Sequence, residues 1–407
     1  MNILYVTTQI PCKRTGGQVR QFHLIRELSH WHQITVISFL RSEEEAELKA
    51  LEEFGVKYLA IPFSQPAREQ GWENRWKSWK QAIFDPRPHY ASIYPVERLL
   101  PALEQAIAQR TWDVVNFEYL DTAPLSTAIG DHSWILTAHN VESLNASSQA
   151  EMEPKATHRL KARIEASKLR RWERKWVESS TACLTVSELD ARRLRQLAPK
   201  GKFCVIPNGV DSKAFEPDPH NTRHKNRIVF FGNLAYPPNR TGLRWFIERV
   251  FLQLRESIPD VSLEIIGPHA AGEILEYGEY PGVKIVGFVE DIRPHLWDAE
   301  LCIVPLFSGG GTRLKILEAA AAGCAVVSTS LGAEGLELAG GIEFLMADNP
   351  QDFNLKIKDL LENPDLLAKI TRNALEAVKK RYDWCTIAHE LDQVYSCMVN
   401  SEKATPV

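Results

Sequence analysis

Hydrophobic residues in this chain gather into short β-rich runs separated by amphipathic stretches, and the alternation persists almost from end to end. The opening run ILYVTT is followed by a turn containing Thr15-Gly16-Gly17 and by apolar positions at Val19, Phe22, Leu24, Ile25 and Leu28, a spacing that predicts strand, loop and helix in that order. Similar runs predict strands over 33–39, 56–62, 113–118, 134–139, 182–187 and 203–207, with helical segments between most of them. The polar, proline-containing stretch PNGVDSKAFEPDPHNTRHKN at 207–226 interrupts this rhythm and reads as a linker between domains. A second set of strands follows over 227–232, 262–267, 283–288, 301–306, 325–330 and 342–346, and helical patterns after Asp348, Pro364 and Asp383 close the chain. Strands alternating with helices imply parallel, doubly wound sheets with right-handed crossovers. The expectation is an α/β protein of two Rossmann-like domains, residues 1–207 and 208–382, facing a central cleft, with ligands at the carboxyl ends of the strands.

At 407 residues the chain exceeds what one core usually supports, and 44% hydrophobic with 25% charged residues is ordinary globular composition. No uninterrupted apolar run approaches the roughly 20 residues that cross a bilayer. The start, MNILYVTTQIP, lacks the basic and long apolar regions of a signal peptide, so a cytoplasmic protein is expected. Seven scattered cysteines without a CxxC or Cys/His cluster read as buried, reduced thiols. Formal charge is uneven, +4 through Pro207 and −8 beyond it. Much of the N-terminal excess lies in KATHRLKARIEASKLRRWERK at 155–175, nine Lys/Arg against two acids in a predicted long helix. That segment, and Trp72, Trp76 and Trp79 interleaved with Arg75, Lys77 and Lys80, read either as solvated or packed helix faces or as contacts peripheral to the inner face of an anionic membrane. Net negative charge and the lack of a binding motif argue against nucleic acid.

Candidate chemistry concentrates between Ile303 and Gly335, IVPLFSGGGTRLKILEAAAAGCAVVSTSLGAEG. Ser308 to Thr312 let the backbone approach a ligand closely, and their amides are expected to open the following helix, whose dipole favours phosphate. Arg313 and Lys315 add positive charge, and Glu318 is placed to accept hydrogen bonds from a diol. Phosphate at a helix start and a diol at a carboxylate describe a nucleoside diphosphate.

Strand, small-residue turn, LKILEA helix, glycine, and a strand ending in Ser/Thr before an EG pair resemble the donor site of retaining glycosyltransferases of family 4, with the GT-B fold. The resemblance implies two Rossmann-like domains and a last helix, about 383–407, that returns to the first domain. It implies a nucleotide diphosphate sugar as co-substrate, no cofactor, and a saccharide or lipid-linked acceptor. It places the ribose on Glu318 and the leaving diphosphate on Arg313, Lys315, Gly311 and Thr312. The first of the two glutamates common in the family is Gly310 here. By the same resemblance Gly17 faces the donor phosphate, while Gly232, Asn233, Gly267, Phe288 and Val289 surround the nucleotide. Asn233 departs from the usual Gly-Arg pair, with Arg240 nearby.

His139, ending ILTAH, reads by itself more often as a structural residue, and the resemblance makes it a catalytic hydrogen-bonder to the donor sugar; Glu118 and Glu142 are acceptor-side candidates. No Asp-x-Asp or other metal motif stands out, so metal-independent transfer is expected. Two rivals remain, a nucleotide-sugar 2-epimerase on the same fold and a non-catalytic nucleotide-sugar-binding scaffold.

Overall fold

The computed structural model describes residues 1–14, 16–64, 85–217 and 222–403. Thr15, Trp72, Trp76 and Trp79 lie outside the described residues. The chain divides into two compact units, Met1–Pro207 with Ile387 onward, and Asn208–Thr386.

The first unit is built on β1 (Asn2–Val6), β2 (Gln33–Leu40), β3 (Lys57–Pro62), β4 (Val114–Glu118), β5 (Trp134–Ala138), β6 (Ala182–Thr185) and β7 (Phe203–Val205). They form one parallel sheet in the order β3-β2-β1-β4-β5-β6-β7. The second unit holds β8 (Arg227–Phe231), β9 (Ser262–Ile266), β10 (Val283–Gly287), β11 (Leu301–Val304), β12 (Ala325–Ser328) and β13 (Leu345–Met346), parallel in the order β10-β9-β8-β11-β12-β13. Central strands such as β11 are buried along their whole length, which is why they read as continuous apolar runs rather than alternating ones. Each order reverses direction once, between β1 and β4 and between β8 and β11, and the reversal opens a crevice at the carboxyl ends.

Several strands end earlier than their apolar runs. β11 stops at Val304 because Leu306 N turns back onto Val304 O at 3.0 Å, and the last run keeps only Leu345 and Met346. The linker expectation over 207–226 is corrected for its described residues: 208–217 and 222–226 belong to the second unit. Trp297 Nε1 donates to Phe215 O at 3.0 Å, and Asn226 N donates to Glu300 Oε2 at 2.7 Å. Arg223 donates to the carbonyls of Leu296 (3.0 Å), Ala299 and Ala322 (2.7 Å), the last at the C-cap of the Leu314–Ala321 helix. Its polarity serves helix-end carbonyls rather than solvent. The Trp384–Lys403 helix is tied into the first unit where Tyr395 and Tyr5 share a buried 2.8 Å hydrogen bond. All seven cysteines are free; Cys12, Cys183, Cys302 and Cys324 are buried, whereas Cys385 and Cys397 are exposed, against expectation.

Candidate functional site

In the second unit, three neighbouring strands finish in glycine: Gly232 after β8, Gly267 after β9 and Gly287 closing β10. Gly267 N donates to Gly287 O at 2.7 Å and Gly232 N to Ile266 O at 3.0 Å. A Cβ on Gly267 would fall on the Gly232 carbonyl, and one on Gly232 would stand 2.9 Å from both Asn239 Nδ2 and Lys315 Nζ. With φ of 149° and 144° these positions need glycine, and the result is a bare backbone ledge. Asn233 closes the following turn, its Oδ1 accepting from Ala235 N at 2.9 Å. Phe288 projects beyond the ledge, 70% exposed, while Val289 packs against the core under β8 and β11.

After β11 comes the glycine turn. The helix begins at Leu314, not within the turn, so the expectation that residues 308–312 open it directly is corrected. Arg313 takes the cap position and folds its guanidinium back over the turn, donating to the carbonyls of Gly310, Gly309 (2.8 Å) and Ser308 (3.5 Å). It braces the loop from within, and burial lowers its pKa. Gly311 sits in the turn at φ 78°, and Thr312 Oγ1 is buried without a partner among the described residues.

Lys315 points elsewhere. Its ammonium reaches the β8 edge, 3.1 Å from Asn239 Oδ1 and above the rings of Phe230 (4.8 Å) and Phe231 (5.8 Å). Glu318 lies one turn further along the same helix face. Both are mostly buried, yet among the described residues Lys315 has no carboxylate within ion-pair distance and Glu318 has no hydrogen-bond donor. Burial lowers Lys315 to about 8 and raises Glu318 to about 7, each charge partly offsetting the other's shift. Buried charges left unpaired destabilise a fold unless something completes them. A cation and a carboxylate held apart on one helix suit a ligand with an anion at one end and hydroxyl donors at the other.

The first unit carries a different cluster. Glu118, the last residue of β4, sets Oε2 2.6 Å from His139 Nε2, just past β5. Its Oε1 accepts from Asn116 Nδ2 at 2.8 Å, and Asn116 Oδ1 accepts from Thr137 Oγ1 at 3.1 Å. Both carboxylate oxygens of Glu118 are thus engaged within this unit, one by His139 and one by Asn116. Tyr119, at φ 67°, stacks on the His139 ring at 4.3 Å, and its hydroxyl occupies the space a Gly17 Cβ would need. Gly17 lies in the first turn of the Gly16–Ser29 helix. Glu142 starts the Glu142–Met152 helix and accepts from Asn140 Nδ2 at 3.3 Å; burial raises its pKa. Glu173 caps that helix, accepting from Glu142 N (2.8 Å) and Ser143 Oγ (2.5 Å). Asp121, its pKa raised to about 7 by burial, accepts from Thr8 Oγ1 at 3.2 Å.

Sequence reasoning missed Asn239 and Tyr119. Tyr119 follows a strand-end acid and had that signal; Asn239, in the helix start PPNR, had none beyond its turn propensity. Among the described residues no group of three or more metal-ligating side chains occurs, and no helix is long and apolar enough to cross a membrane.

Residues 14–214 match the family description "Glycosyltransferase Family 4" and residues 225–363 match "Glycosyl transferases group 1". A phosphatidyl-myo-inositol mannosyltransferase of Mycolicibacterium smegmatis is 29% identical over 221 residues, 52% of this chain and 56% of that protein. A 44.6 kDa protein of the Klebsiella pneumoniae cps region is 28% identical over 168 residues, 39% of this chain and 43% of that protein. The chain spans about half the length of the curated relatives it matches. Among solved structures, a sucrose-phosphate synthase of Thermosynechococcus elongatus superposes with TM-score 0.70 at 16% identity, covering 98% of this chain and 99% of that one. Anabaena HepE in complex with UDP superposes with TM-score 0.66 at 17% identity, covering 98% and 100%. These likenesses are those of the GT-B fold, two Rossmann-like parallel sheets.

Proposed function

The chain belongs to glycosyltransferase family 4, the group 1 glycosyl transferases, and on that premise we propose that it moves a sugar from a nucleoside diphosphate sugar to a saccharide or lipid-linked acceptor, with retention at the anomeric carbon. The observation that carries this reading is the separated pair on the Leu314–Ala321 helix: among the described residues Lys315 has no carboxylate partner and Glu318 no hydrogen-bond donor. Glu318 accepts from the ribose hydroxyls. Lys315, with the glycine ledge and first-turn amides, takes the diphosphate and stabilises the charge it gains as the bond from the anomeric carbon breaks. The acceptor oxygen then forms the new bond to that carbon and passes its proton to the departing diphosphate. His139, oriented by Glu118, hydrogen-bonds a sugar hydroxyl, and Arg313 keeps the glycine turn in shape. Fixed positive charge supports transfer without a divalent cation, so full activity in excess chelator is expected.

HepE structures hold UDP and UDP-glucose and the mycobacterial relatives are named mannosyltransferases, so uridine and mannosyl donors head the panel. Acceptor-dependent release of nucleoside diphosphate, with the product's anomeric configuration read by NMR, tests the proposal. Conversion of the donor in the absence of any acceptor would contradict it. For a lipid-linked acceptor, the Ala156–Ser179 helix offers an exposed row of Arg163, Arg170, Arg171, Arg174 and Lys175 to an anionic membrane surface. Flotation with anionic vesicles, lost on charge reversal of that row, is the expected result.

A further inference from the structure

We infer that Asn239 is a positioning residue that holds the Lys315 ammonium at the carboxyl end of β8, beside Gly232, so that the charge meeting the donor diphosphate is delivered from the helix after β11 by an amide on the helix after β8. The inference deepens the reading above and rests on it.

Asn239 lies in the first turn of the Pro237–Phe246 helix and is 6% exposed. Its two polar atoms are both committed. Nδ2 donates to Asn233 O at 2.9 Å, and Oδ1 accepts from Lys315 Nζ at 3.1 Å. Because one partner is a carbonyl and the other an ammonium, chemistry alone fixes which end of the amide faces which. The amide therefore ties the β8 turn to a side chain 76 positions away. It uses one of the ammonium's three hydrogens and leaves the others for a ligand. Phe230 and Phe231 support the ammonium from below, and Gly232 leaves it room, since a Cβ there would press on both Asn239 and Lys315. An amide suits this post because it orients the cation without neutralising it, where a carboxylate would close the ion pair and remove the vacancy for phosphate. The charged or titratable groups around Lys315 are Cys302 on β11, and Arg313 and Glu318 along its own segment.

The test is a double-mutant cycle on the full chain, read as the affinity gained when a nucleoside is replaced by its diphosphate. Asn239→Ala and Lys315→Ala are each expected to cut that gain about tenfold or more, and the double variant is expected to be no worse than Lys315→Ala. The preference for ribo- over 2′-deoxynucleotides, which belongs to Glu318, stays unchanged in Asn239→Ala. Additive losses, or an Asn239→Ala protein that melts like wild type and keeps the full diphosphate gain, overturn the inference. Failure of every nucleoside diphosphate to bind wild type sinks the functional reading instead. The inference is then decided on ligand-free protein with 13C-labelled lysine, where Asn239→Asp should move the Lys315 titration midpoint upward from about 8. A midpoint that does not move overturns it.

Discussion

The two strand-end edges handle charge in opposite ways. In the first unit, Glu118 and His139 are satisfied by each other, with Asn116, Thr137 and the Tyr119 ring completing the cluster. In the second, Lys315 and Glu318 share a helix face and stay apart, the one steered by an uncharged amide and the other left open. A closed network rigidifies a side chain and presents it; an open pair stores unfavourable burial that a ligand relieves. Nucleotide affinity should therefore reside in the second edge, and the first should affect rate.

The largest expected effect concerns the ledge itself. Gly267→Ala drives a methyl group into the Gly232 carbonyl at a backbone angle that disfavours it, and should destabilise the second unit by about 3 kcal/mol or more, visible as a lower urea midpoint. Next, Lys315→Met should weaken nucleoside diphosphate binding by about 1.5–3 kcal/mol, roughly 10- to 150-fold, by calorimetry. A comparable loss in Glu118→Gln would erase the distinction between the edges. Third is a pH effect. Glu318, raised to about 7 when folded, favours folding below its unfolded value and loses that contribution as pH rises through about 7. Glu318→Gln should thus be more stable than wild type at pH 8 by about 1–3 kcal/mol, the gain vanishing near pH 4, in melting curves taken at both. Last, His139→Ala should lower turnover by about tenfold, the loss of one hydrogen bond, while leaving nucleotide affinity within error.

Much of the architecture was legible because parallel strands buried on both faces announce themselves as apolar runs; each of β1 through β13 overlaps such a run, with β1 beginning one residue before ILYVTT and β2 running on to Leu40. Their carboxyl ends were not, since residues such as Pro305 and Leu306 stay apolar after the chain has turned toward the site. The segment beyond Pro207 misled because its polar groups, Arg223 above all, bond buried carbonyls rather than water. Within the site, Glu318 and Lys315 could be picked from the glycine turn, the helix that follows it and the family resemblance. Arg313 and Lys315 looked equivalent, but side chains two positions apart at a helix start do not face the same way. One braces the glycine turn and the other reaches the β8 edge. The links from Asn239 to Lys315 and from Tyr119 to Gly17 join distant elements, and no local spacing encodes them.

The central claim is that Lys315 and Glu318 form two halves of one nucleoside diphosphate site. Calorimetric titration of wild type, Lys315→Met and Glu318→Gln with nucleosides, their diphosphates and the 2′-deoxy forms tests it most directly. One base should bind wild type, with Lys315→Met losing the advantage of diphosphate over nucleoside and Glu318→Gln losing the advantage of ribose over deoxyribose. Binding by both variants at wild-type strength, or none by wild type, would contradict it.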